Sequence, residues 1–131
     1  MIRVSSSQGF ETVGEAVKTA MEMEGPLNQR LAVIADTVQL LKPEAAAAVG
    51  RLVARLAKGE VGGSAPRVGE TLPNFLLPDE QGSLVSLRGL LREGPVVVSF
   101  QRGHWCPYCR VSTISLAEIQ DEIAALGARI V

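Results

Sequence analysis

Apolar residues recur along the first half of the chain with a helical period. Val13, Val17 and Met21 are spaced four apart, which predicts a helix over 11–23 that Gly25-Pro26 ends. Leu27, Leu31, Ile34, Val38 and Leu41 then step by four, three, four and three, one stripe of a second helix. Pro43 breaks that run and suits the first turn of a third helix, where its missing N–H costs nothing. Ala45, Val49, Leu52, Val53 and Leu56 lie on one side of that helix, which ends near Lys58-Gly59. This pattern reads as a packing or dimerisation hairpin without chemistry of its own. The first ten residues are polar and Ser-rich and predict loose order.

Gly59, Gly62, Gly63 and Pro66 make 59–66 a linker, and the pattern changes after it. Asn74 to Leu77 and Leu84 to Leu87 flank Asp79-Glu80-Gln81-Gly82, which predicts a β-hairpin; Leu87 to Leu91 follows as a short helical turn. Three valines and a Phe, Val96 to Phe100, predict a strand buried on both faces, as in a parallel sheet. From Pro107 onward Leu116, Ile119, Ile123 and Leu126 keep a helical period, with Gly127 as the C′ residue. Ala128 to Val131 begins another apolar run, so strand, helix and strand form a βαβ unit. The expected class is α/β. A helical region, 1–58, and a linker, 59–66, precede a domain over 67–131 built from a β-hairpin and a βαβ unit.

Composition narrows the functions available. With 47% hydrophobic and 21% charged residues, the 131-residue chain can build a core. A formal net charge of −1 gives no bulk attraction to nucleic acid or an anionic membrane. Three of the five aromatic residues, Phe100, Trp105 and Tyr108, crowd around the cysteines, so no base-stacking face is visible. Met1 to Glu15 lacks a basic region followed by an apolar run, and no apolar stretch approaches the ~20 residues of a membrane span. The expectation is a cytoplasmic protein with no nucleic-acid or membrane partner.

The chemistry gathers at Trp105-Cys106-Pro107-Tyr108-Cys109. Pro107 as first helical residue makes Cys106 the helix cap and Cys109 the third helical position. A sulfur at the cap faces unpaired N–H groups and the positive end of the helix dipole. Both favour a thiolate, so the Cys106 pKa is expected to fall below about 8.5. Arg102, His104 and Arg110 flank the pair, and no Asp or Glu occurs from Gly94 to Ala117. Positions three apart share one side of a helical turn, so Cys109 can reach Cys106. Cys106 is then the exposed attacker and Cys109 the more buried resolving thiol. The other readings are two inert buried cysteines, or a zinc site. His104 would be the third ligand of the four that a closed zinc site needs, and we expect no metal. Trp105 reads as a wall of the site, and Tyr108 as a spacer or a hydrogen-bond donor to substrate. His104, Arg102 and Arg110 read as electrostatic tuners, and Gly103 as the loop glycine.

Arg67-Val68-Gly69-Glu70, Pro73-Asn74-Phe75, Leu77-Pro78-Asp79, Val85-Ser86-Leu87, Gly94 to Phe100, Arg102-Gly103 and the W-C-P-Y-C site together resemble the alkyl hydroperoxide reductase/thiol-specific antioxidant proteins. They are most similar to the peroxiredoxin-like branch, whose N-terminal extension the first helices also resemble. The resemblance implies a thioredoxin fold and antioxidant reduction of peroxides or disulfides without a cofactor. Cys106 would be the nucleophile and Cys109 the resolving thiol, with an external thioredoxin- or glutathione-type thiol as reductant. Two features depart from the family. Its Thr and Pro, three and seven residues before the nucleophile, are here Gly103 and Ser99, and the site itself more closely resembles thioredoxin and glutaredoxin, which favours disulfide exchange. The fold is also expected to be partial, truncated after the first βαβ unit, and a homodimer formed through the N-terminal helices would cover its exposed sheet. The other function class is a non-catalytic, dimerising thioredoxin-fold remnant that acts in assembly or binding.

Overall fold

The computed structural model describes residues 9–59 and 61–131; the expectation of loose order for the first ten residues lies mostly outside this range. The chain is mixed α/β, and each element follows from a local signal. Thr12 caps helix α1 (Val13–Glu22): its hydroxyl accepts the Glu15 N–H, while the Glu15 carboxylate accepts the Thr12 N–H. Helices α2 (Leu27–Leu41) and α3 (Pro43–Lys58) have the bounds read from their apolar stripes, with Pro43 at the first turn of α3. Strands β1 (Leu76–Pro78) and β2 (Leu84–Ser86) pair antiparallel as Leu76↔Ser86, Leu77↔Val85 and Pro78↔Leu84. Asp79 shapes their turn by accepting the Gln81 and Ser83 N–H groups, and Gly82 supplies a φ of 82° that other residues avoid. Ser86 caps the short helix α4 (Leu87–Leu90).

Strand β3 is shorter than the sequence predicts. It spans Val96–Val97, not Val96 to Phe100, and it is not buried on both faces: Val97 is exposed and Phe100 is 82% exposed. The cause is its neighbours. Among the described residues β3 pairs only with the parallel strand β4 (Arg129–Ile130), through Val96↔Arg129 and Val97↔Ile130, so one edge has no strand beside it. Between them lie helices α5 (Pro107–Glu118) and α6 (Gln120–Ala125), where one continuous helix was expected. Ile119 interrupts the helix although its apolar period continues. Gly127 ends α6 with a φ of 74°; its N–H reaches the Ala124 carbonyl while the Ala128 N–H reaches that of Ile123.

The chain forms two compact units. One comprises Met1–Val61 and Gln101–Ala117, the other Gly62–Phe100 and Glu118–Val131. In the first, Val17, Ala20, Ile34 and Val111 form the core, and Tyr108 packs against it. The segment with the cysteines thus packs on α1 and α2, which read in sequence as chemically silent. Arg30 of α2, 1% exposed, donates to the Ala20 and Met21 carbonyls and satisfies the end of α1. In the second unit Leu87 is buried and the two small sheets stand. A Cβ on Gly94 would collide with the Gly127 carbonyl, so the start of β3 admits glycine alone. Among the described residues no helix is long and apolar enough to cross a membrane.

Candidate redox site

Cys106 occupies the cap of α5. Its carbonyl accepts the Arg110 N–H at 3.1 Å, and its sulfur accepts the Cys109 N–H at 3.4 Å, where a serine oxygen would sit in an ordinary cap. Pro107 stands at the first helical position. A turn delivers the chain to this cap: the Cys106 N–H meets the Gly103 carbonyl at 3.0 Å. Gly103 has a φ of 129°, and a Cβ there would lie 2.7 Å from the Trp105 indole nitrogen. Only glycine allows both the turn and the indole.

Arg102 bridges the pair. Its guanidinium donates to the Cys106 sulfur at 3.0 Å, and its backbone N–H donates to the Cys109 sulfur at 3.3 Å. The Cys109 thiol is pushed below its ordinary range. The Arg102 N–H is the largest cause, a hydrogen bond from Cys106 the next, and burial opposes both. The Arg102 guanidinium is in turn held charged more firmly than usual, first by its hydrogen bond to Cys109 and then by Cys106. Both cysteines are free thiols, and they share one donor residue.

Exposure is the reverse of the sequence expectation. Cys106 is buried, at 1% exposed, and Cys109 is half-buried. Beneath the cap, Val111 and Tyr108 pack against α1 and α2, and the Arg102 side chain reaches over the Cys106 sulfur. The Arg102 guanidinium also lies 6.0 Å from the centre of the Tyr108 ring. Arg102, His104 and Arg110 are all exposed. Of these three residues, Arg102 carries the hydrogen bonds to sulfur.

Trp105 is 68% exposed, so it is not a packed wall in the sense the sequence suggested. With Pro107 and Arg110 it forms one side of a groove of about 500 Å³, and Val13, Gly14, Val17, Lys18 and Met21 of α1 form the other. The α1 residues were invisible as site residues in the sequence. Their spacing along one helix face marks a packing stripe, and nothing local says that the stripe meets Trp105. Among the described residues no group of three or more His, Cys, Asp or Glu could hold a metal ion.

No curated protein and no solved structure matches the chain. Residues 67–131, the stretch that carries both cysteines, match the Redoxin family, and over this stretch the chain is similar to thioredoxin-fold, thiol-dependent oxidoreductases and peroxidases.

Proposed function

We propose that the chain is an antioxidant thiol oxidoreductase that cycles Cys106 and Cys109 between dithiol and disulfide while reducing a peroxide or a disulfide. The observation that carries this reading is the convergence of one residue, Arg102, on both sulfurs. A cation and a backbone N–H placed there stabilise negative charge on the pair, and the thiolate is the reactive form.

With a peroxide, the thiolate attacks one oxygen and the O–O bond breaks. The leaving alkoxide or hydroxide takes a proton, and a sulfenic acid remains on sulfur. The second thiol attacks that sulfur, a disulfide forms, and water leaves. With a disulfide substrate, the first attack gives a mixed disulfide and a departing thiolate, and the second thiol releases the other half. An external thioredoxin- or glutathione-type thiol, as in a cytoplasmic setting, then returns the pair to dithiol. No resident cofactor is needed, and the working unit is a homodimer.

Two observations divide the roles within the pair. Cys106 receives the Arg102 guanidinium and the Cys109 N–H, which supports Cys106 as the nucleophile. Cys109 is the more exposed sulfur and the one with the lowered pKa, which favours it as the sulfur an oxidant meets first. Turnover of peroxide or of a small disulfide with dithiothreitol tests the function. The wild type turns over, and Cys106→Ser and Cys109→Ser lose at least most of the rate. Equal rates in all three leave a non-catalytic binding protein. Trapping sulfenic acid in the two single variants assigns the nucleophile: it forms on whichever single cysteine attacks.

A further inference from the structure

The Arg102 guanidinium draws its counter-charge from the reduced pair. It donates to the Cys106 sulfur at 3.0 Å, and both sulfurs hold it charged more firmly than usual. Among the described residues it has no carboxylate partner, and no Asp or Glu occurs from Gly94 to Ala117. Oxidation changes this balance. A Cys106–Cys109 disulfide is neutral and accepts hydrogen bonds weakly, whereas a guanidinium stays charged at every physiological pH. The disulfide therefore stands beside a cation that has lost its anion. The Tyr108 ring, 6.0 Å from the guanidinium carbon, remains to hold that cation in place, and the Arg102 side chain is exposed to solutes.

We propose that oxidation of the pair releases the Arg102 guanidinium, and that the released group recognises the reductant, a thiol carrying a carboxylate. This rests on the disulfide cycle proposed above and specifies its reductant. The planar fork of the guanidinium matches a carboxylate with two parallel hydrogen bonds, which no ammonium or imidazolium does. The reductant's thiolate attacks Cys109, the half-buried sulfur, in preference to Cys106 at 1% exposed. The S–S bond breaks, and Cys106 leaves as a thiolate within reach of Arg102. A second reductant thiolate then attacks the external sulfur of the mixed disulfide. Cys109 leaves, and the two reductant molecules depart joined by a disulfide. Two electrons enter the pair, and the two thiol protons pass to solvent or to the cysteines. Once Cys106 is charged again it competes for the guanidinium, so the carboxylate is released when its work is done.

Reduction of the oxidised chain by thiols of different charge tests it. The rate constant with mercaptopropionate is divided by that with neutral mercaptoethanol, in the wild type and in Arg102→Gln, Arg102→Lys and Arg110→Gln. Arg102→Gln lowers this ratio about tenfold, and Arg102→Lys, which keeps the charge but not the fork, falls between. Weaker support for the leaving Cys106 thiolate slows both thiols alike and cancels in the ratio, so a merely structural role does not move it. Succinate, which cannot reduce a disulfide, competes with mercaptopropionate on the oxidised wild type and leaves alkylation of the reduced chain unchanged. A ratio that Arg102→Gln leaves alone, or that Arg110→Gln lowers as much, reports a general positive field and overturns the assignment to Arg102. So does succinate that slows both reactions equally. In each of these cases the disulfide cycle still stands. A chain in which peroxide forms no Cys106–Cys109 bond overturns the cycle and this inference together.

Discussion

At the scale of single residues the site rests on Arg102. It spans the two sulfurs with two different donors, a guanidinium and a backbone N–H. Arg102→Gln keeps the backbone donor and removes the charge. The thiolate fraction at neutral pH then falls, and alkylation by iodoacetamide slows by about threefold to tenfold, with a shallower salt dependence than the wild type. The lowered Cys109 pKa also makes stability depend on pH. The unfolded thiol titrates near its ordinary value and the folded one below it, so between the two the unfolded chain binds more protons. The contribution is fully present above the ordinary thiol pKa and is lost as pH falls through the folded value. The urea midpoint of the reduced protein therefore rises with pH across this window, and in Cys109→Ser that rise disappears. The sequence makes the positive surroundings of the pair legible, because Arg102, His104 and Arg110 flank it without a nearby acid. It does not say which of these side chains reaches the sulfurs, since that depends on the turn made by Gly103.

At the scale of elements, helices were the most legible. Prolines and glycines bound α2 and α3, and their apolar stripes are unbroken, so their limits follow from the chain itself. Strand β3 was legible in kind and not in extent, because a strand's length depends on its neighbours, and β4 pairs with two of its residues. The break at Ile119 was hidden because the apolar period runs through it. The docking of α5 on α1 and α2 was hidden for a different reason: each stripe predicts burial without naming what buries it. Val111 of α5 and Ile34 of α2 meet in one core, both fully buried. Ile34→Ala leaves a cavity there and lowers stability by about 2–5 kcal/mol, read as a lower urea midpoint with an unchanged slope. Since the same core seats the cap of α5, the pH at which the thiols become reactive shifts up toward the ordinary thiol range in this variant, as the hydrogen bonds that lower the Cys109 pKa loosen.

At the scale of the molecule, the redox site lies within a unit that joins the N-terminal helices to Gln101–Ala117, while the Redoxin match begins only at residue 67. Helices α1 and α2, ahead of that match, therefore seat the reactive cap. The account as a whole stands on two sulfurs that can join. Its most direct test is the mass of the reduced chain after one equivalent of hydrogen peroxide, quenched in acid and digested. The account predicts a loss of two hydrogens per chain and a peptide holding Cys106 linked to Cys109. A chain that keeps its mass, or gains oxygen without forming that link, contradicts it.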